Sequence, residues 1–288
     1  MKKFKSDYLA FITILLLCVT SVAGILSMNF THKYEFVNQY GHVVEMYGYG
    51  IYEHDTFFVA PISIGTDFNI LFVTVPMFLY VLWQYRKTRS SVSELKLISM
   101  YGIAFYYAAS IAFGVTYNEL FLVYMILFSC TLFGMFYHIC HIRWDESISC
   151  TKGMKIFLII SGIALYIAWF PDVLPSLLSG DTLAQIGVYT TMITYVLDMG
   201  IISPLCFVTL ALLKRKNSLG TMLWAIMLRA CIIVGTMMVT QTVCQVASGC
   251  DIPFPVLATK SLSFVALGVF AIYFNNSMYR KLGNVLAE

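Results

Sequence analysis

Apolar residues run along this chain in long unbroken blocks, and polar residues are swept into the gaps between them. A block of ~20 apolar residues is what one helix needs to cross the ~30 Å hydrocarbon core of a bilayer. Because that core holds no water, each crossing segment has to satisfy its backbone internally, which for a single segment means a helix. The blocks predict eight crossings, near 8–28, 68–85, 97–117, 119–142, 155–170, 189–213, 221–245 and 256–274.

The longest gap, residues 29–66, has a different pattern. In "KYEFVNQYGHVVEMYGYGIYEHDTFF" the β-forming Tyr, Phe and Val flank a turn-like "NQYG", which predicts a hairpin capping one mouth of the bundle. A second gap, Phe170–Val188, contains Pro171 and Pro175 and predicts a break into a short interfacial helix.

Composition agrees with this reading. Of the residues, 59% are hydrophobic and 11% charged, with a mean hydropathy of +0.80, where soluble domains run near a quarter charged. The expected fold class is therefore all-α, a polytopic membrane helix bundle forming one membrane domain over residues 1–288. Its first partner is the lipid bilayer, and a nucleic-acid-binding or soluble function is excluded.

Charge orients the bundle. If the N-terminus is cytoplasmic, 15 of the 18 Lys and Arg fall in inner segments, among them Lys2, Lys3, Lys5, Arg86, Lys87, Arg89, Lys214, Arg215, Lys216, Arg280 and Lys281. Only Lys33 falls outside, while Arg229 and Lys260 lie within spans. This bias predicts cytoplasmic N- and C-termini and an extracellular cap. The first span also admits a reading as a cleaved signal peptide, since "SVAG" offers small residues after an apolar run; seven helices would then remain. The run from Tyr8 to Met28 exceeds the usual ~7–15-residue core of such a peptide, which favours a retained helix.

Pro76 and Pro204 hint at internal duplication. Each lies in a span entered from outside, each is followed, after nine intervening residues, by basic residues ("RKTRS", "KRKNS"), and they are 128 positions apart. Parallel pseudo-repeats 1–142 and 143–288 would account for the spacing, an arrangement some transporters use.

"YGYGIYEHD" with Tyr47, Gly48, Gly50, Tyr52 and Asp55, "GTD" with Gly65 and Asp67, and "LDMGIISP" with Asp198, Gly200 and Pro204 carry a resemblance. On these motifs the chain resembles a family of uncharacterised bacterial multi-pass membrane proteins. The resemblance implies a bacterial plasma membrane and this topology, and brings no activity with it.

Charged residues inside spans are the first candidates for function, because each needs a partner or a wet cavity. Counted from the predicted helix ends, Asp198 lies ~14 Å and Arg229 ~12 Å into consecutive helices. A buried Asp198–Arg229 pair is the expected centre of the site. Thr194 and Tyr195 precede Asp198 on one helical face, and Gln241 and Gln245 form a polar row on the next helix. Lys260, near the outer boundary, either reaches the headgroups or meets Asp67 or Glu119.

The remaining candidates are weaker. Cys244 and Cys250 in "CQVASGC" are expected either as a disulfide closing the outer end of a helix or as two thiols. His138 and His141 share a helical face but lack further ligands, and His32, His42 and His54 are scattered, so no metal and no cofactor is expected. P-loop, G-x-S-x-G and H-E-x-x-H signatures are absent, which leans away from an enzyme. Transport or permeation of a small polar solute or ion is the leading expectation. A membrane sensor that binds a ligand or partner through residues 29–66 is the alternative, and an intramembrane enzyme comes third. The sequence leaves a protein partner or homo-oligomer open.

Overall fold

The computed structural model describes residues 2–250 and 254–285, with side chains described for 7–250 and 261–282. It contains eight helices long and apolar enough to cross a membrane. They are α1 (Lys2–Leu26), α2 (Val59–Thr88), α3 (Ser91–Gly114), α4 (Phe121–His141), α5 (Lys152–Ser179), α6 (Ile193–Lys214), α7 (Ser218–Ser248) and α8 (Phe254–Val285). Strands β1 (Tyr34–Val37) and β2 (Val43–Met46) form one antiparallel hairpin between α1 and α2. On α5, Ile156, Ile160, Ile163 and Ile167 form an exposed row along one face. Such a row would be a liability in water and is the expected surface toward lipid. The chain is an all-α integral membrane protein with a small hairpin cap.

Prolines shape three helices, each in a different way from simple breakage. α5 continues through Pro171 and Pro175 to Ser179, where Gly180 (φ 72°) ends it by donating its N–H to the Ser176 carbonyl. The expected break after Phe170 is absent: the prolines are four apart, so the N–H missing at Pro175 is the one that would have bonded the Pro171 carbonyl. Pro76 and Pro204 are each preceded by a π turn, Ile70–Thr74 in α2 and Asp198–Ile202 in α6. From Ile70 to Asp198, from Thr74 to Ile202 and from Pro76 to Pro204 the interval is 128 positions in every case. Thus a wide turn accompanies the proline in both helices and takes up the lost hydrogen bond.

α1 to α4 pack as one ring, and α5 to α8 as a looser one whose α7 packs along both α2 and α3 of the first. α2 lies along α7 so closely that a Cβ added at Gly65 would be 2.4 Å from the Gln241 Cα. α3 and α6, by contrast, meet mainly through residues 193–197, which leaves space between them farther down.

At the basic end the first ring is pinned by charge. Asp7 of α1, 6% exposed, is bridged by Arg86 and Arg89 from the end of α2. Glu94 of α3 meets the Nδ1 of His138 of α4 at 2.9 Å. His141 bonds the Tyr137 carbonyl and stacks on its ring, so the two histidines do not converge on one point.

The cap is tied to the other end by loops. Asn38 closes the hairpin turn by accepting from the backbone N–H groups of Tyr40 and His42, and donates to the Gly187 carbonyl at 2.6 Å. Asp55, fully buried, accepts from the Thr116 N–H at 3.0 Å and from the Tyr189 hydroxyl at 2.8 Å. One carboxyl group thereby joins the segments before α2, after α3 and before α6, and its second oxygen, Oδ2, is buried without a partner.

Burial pushes the Asp55 carboxyl up to about 6, against the lowering effect of its two donors. The folded cap therefore keeps a proton that the unfolded chain, titrating near 3.8, has lost. Stability is full below about pH 4 and falls as pH rises through about 6, by about 3 kcal/mol in all. Proteolysis of the 29–58 segment should be faster at pH 7.5 than at pH 5, and Asp55→Asn should flatten that difference. Gly65→Ala should cost about 1–3 kcal/mol by forcing α2 from α7. Gly200→Ala, which meets nothing within 4 Å, should leave the thermal midpoint in detergent unchanged.

Candidate functional site

The two spans with π turns each carry a buried aspartate. Sequence spacing placed Asp67 just before α2, but α2 begins at Val59, so Asp67 lies two turns inside the helix and is 1% exposed. Its Oδ2 accepts from the Tyr52 hydroxyl at 2.5 Å, and its Oδ1 from the Tyr107 hydroxyl at 2.8 Å. Tyr107 also reaches Thr20 of α1 at 3.3 Å. Gly24 of α1 makes the approach: a Cβ there would fall 1.7 Å from the Asp67 Oδ2.

Asp198 opens the π turn of α6. Its Oδ1 accepts from the Tyr106 hydroxyl at 2.8 Å and its Oδ2 from the Trp169 indole N–H of α5 at 3.0 Å. Tyr106 and Tyr107 are neighbours on α3, and successive side chains of a helix point ~100° apart. One short stretch of α3 thus holds the carboxylate of α2 on one side and that of α6 on the other.

Between α3, α5, α6 and α7 lies a cavity of about 250 Å³. It runs from the cap end, at Val59, Val115 and Ile193, to mid-bundle, at Leu205 and Ile226. Asp198, Tyr106, Trp169, Thr194, Ser110 and Gln241 supply much of its polar lining, and most of the remaining wall is apolar. Asp67 stays behind Tyr52 and Tyr107, which themselves form wall. The acids are therefore not equivalent, since Asp198 faces the space and Asp67 braces its boundary.

The expected Asp198–Arg229 pair is not formed. α6 begins at Ile193, not near 189, which carries Asp198 toward the cap end, where Tyr106 and Trp169 take its oxygens. Arg229, eleven residues into α7, lies toward the basic end beside Tyr279 and Lys96. The depth argument failed through a helix boundary displaced by one turn.

The secondary candidates divide. Thr194 and Gln241 line the cavity, and Gln241 also donates to Thr66 of α2 at 2.8 Å. Tyr195 stacks on Trp169 (4.4 Å between rings) and donates to Asp172, so it steadies the indole that serves Asp198. Gln245 is buried nearer the cap, away from the cavity wall. Cys244 and Cys250 are separate thiols: Cys244 packs with Tyr47, Tyr52 and Phe57, while the Cys250 thiol bonds the Phe57 carbonyl. Of the two readings of this pair, two separate thiols is the one the structure has. The side chain of Lys260 lies outside the described residues. Among the described residues no group of three or more His, Cys, Asp or Glu is placed to hold a metal.

Residues that spacing did not single out complete the site. Tyr106, Tyr107 and Trp169 read as bulky apolar positions in their spans, Asn69 as one polar residue at the start of a span, and Tyr52 only as part of a cap motif. Asn69 donates to Thr236 of α7 at 2.9 Å. One signal pointed this way: "YGYGIY" has a structural meaning. Tyr47 bridges the Ser27 carbonyl and the Asn29 N–H at the end of α1, both glycines are left-handed (φ 73° and 61°), and the turn delivers Tyr52 to Asp67.

No protein family, curated protein or solved structure matches this chain. The fold and the site geometry define it as a multi-pass integral membrane protein with a mainly apolar cavity among its helices, faced by Asp198.

Tyr107→Phe should lower stability by about 1–2 kcal/mol, the range of polar contacts between membrane helices. Gly24→Ala should do at least as much by pushing Asp67 off Tyr52. Both are read from the loss of folded protein on heating in detergent, with Tyr117→Phe, at an exposed position, as the neutral control.

Proposed function

We propose that this protein carries a small polar solute or ion across a bacterial plasma membrane, through the cavity between α3 and α6. The basic end faces the cytoplasm in this reading and the hairpin cap faces outside, in keeping with the bias of Lys and Arg to one end. The observation that supports transport best is the coincidence of three features at Asp198: a carboxylate, a π turn before a proline, and the cavity wall. Irregular helix turns at membrane depth are tolerated where they line a cavity, and discontinuous helices form the solute sites of many transporters. The identical 128-residue interval between the π turns supports a parallel duplication of residues 1–142 and 143–288. In that arrangement the close α2–α7 contact and the open α3–α6 contact are the corresponding interfaces of the two halves.

Wall chemistry narrows the solute. A mainly apolar surface with Asp198, Trp169 and Tyr106 at one point suits a small molecule with an apolar body and a hydrogen-bonding or cationic group. A second reading, ligand sensing by the cap, is favoured by a cleft of about 520 Å³ between the hairpin and residues 184–187, lined by Lys33, His42 and Glu45.

Electrophysiology on reconstituted protein with a panel of amines, amino acids and monovalent cations separates the two. Transport predicts a current for at least one solute that falls tenfold or more in Asp198→Asn. A current unaffected by Asp198→Asn, or none for any solute, contradicts it. Ligand binding that survives Asp198→Asn and is lost when residues 38–42 are replaced by a short turn would favour the sensor reading instead.

A further inference from the structure

Arg229 was expected to meet Asp198, and among the described residues it pairs with no acid. We propose that Arg229 and Lys96, with the hydroxyl of Tyr279, form a binding site for a phosphate-type oxyanion at the basic end of the bundle.

The site lies where α3, α7 and α8 meet. Arg229 is about 16 Å into α7 from the basic end. Lys96, five residues into α3, directs its Nζ over the Tyr279 ring at 5.1 Å and donates to the Gln84 side chain at 3.2 Å. Arg229 is close enough to both Lys96 and Tyr279 to act on them electrostatically. Two cations of like charge therefore lie close together, both near the Tyr279 phenol.

Among the described residues no acid pairs with them. Among the described residues the acids at this end are Asp7, Glu94, Asp145 and Glu146, and ion pairs account for two. Asp7 is held by Arg86 and Arg89, and Glu94 by His138. Asp145 and Glu146 pair with neither Lys96 nor Arg229. A charge at this depth costs on the order of 3 kcal/mol unless compensated, so two uncompensated cations call for a mobile anion.

Buried polar atoms around the cations also lack partners. The Arg229 Nε and the Tyr279 hydroxyl are buried and complete no hydrogen bond of good geometry, although the Ser99 hydroxyl and the Arg229 guanidinium lie near that phenol; the Asn275 Oδ1, one turn along α8, is likewise buried without a partner. Native structures leave few such atoms unsatisfied, and each asks for an explanation. A tetrahedral oxyanion supplies what both donors need, and guanidinium is well matched to it in geometry. The basic residues at this end, Lys152, Lys155, Lys214, Arg215 and Lys216 among them, raise the local concentration of anions. Free phosphate and the phosphate of an anionic lipid headgroup share this chemistry.

The test uses the full chain in nanodiscs and reads its thermal midpoint. One arm adds inorganic phosphate in phosphatidylcholine discs, and the other replaces part of the lipid by phosphatidylglycerol in chloride buffer without phosphate. A rise in the midpoint in the first arm identifies a free phosphate, and a rise in the second alone identifies a headgroup. Either rise should need at least tenfold more anion in Arg229→Gln and in Lys96→Gln; the second variant decides if the first does not fold. Wild-type protein that responds to neither arm beyond its chloride and phosphatidylcholine control overturns the site. So does an equal response in the variants.

Discussion

A carboxylate carried into an apolar layer must find its donors inside the protein, and in this bundle that requirement falls on two adjacent tyrosines. Tyr106 and Tyr107 of α3 reach in different directions, to Asp198 and to Asp67. Each acid belongs to a helix whose hydrogen-bond ladder is widened beside it, so α2, α3 and α6 are fixed relative to one another through these contacts. The cap joins the same network, since Tyr52 from the turn after the hairpin supplies the second donor to Asp67. Removing the polar contacts would leave apolar helices free to slide in lipid, where packing alone discriminates weakly.

From that constraint the asymmetry of the bundle follows. Where α2 meets α7, Gly65 lets the backbones touch. Where α3 meets α6, Tyr106 and Asp198 bridge the helices beside a space that runs from the cap end to mid-bundle. The same type of helix, with its π turn two residues before proline, thus serves a closed contact on one side and a cavity wall on the other. Asp67 braces the wall from behind and Asp198 presents its carboxyl to the space.

Much of this architecture was legible in the chain. Block length found all eight crossings, "NQYG" found the hairpin turn, and the two prolines found the two irregular helices. What failed did so through boundaries. Nine residues of α2 before Phe68 contain Pro61, Ser63, Gly65 and Thr66, and hydropathy alone reads them as loop; burial of Asp67 was hidden with them. The displaced start of α6 produced a pair, Asp198 with Arg229, that the structure separates. The tyrosines escaped notice for another reason. In an apolar span an aromatic ring usually packs, and only the three-dimensional positions show that Tyr106, Tyr107 and, beside them, Trp169 donate hydrogen bonds to Asp198 and Asp67.

The central claim is that a solute-accessible space reaches Asp198 from the cap end while the α2 core beside it stays closed. Thiol labelling tests it most directly, in a background free of the eight native cysteines, with a water-soluble reagent added from the cap side. Ser63→Cys and Thr194→Cys, on the cavity wall, should react quickly, and Ile64→Cys, fully buried next to the first of them, should not. Labelling of Ile64→Cys at the rate of the other two, or protection of all three, would contradict the account.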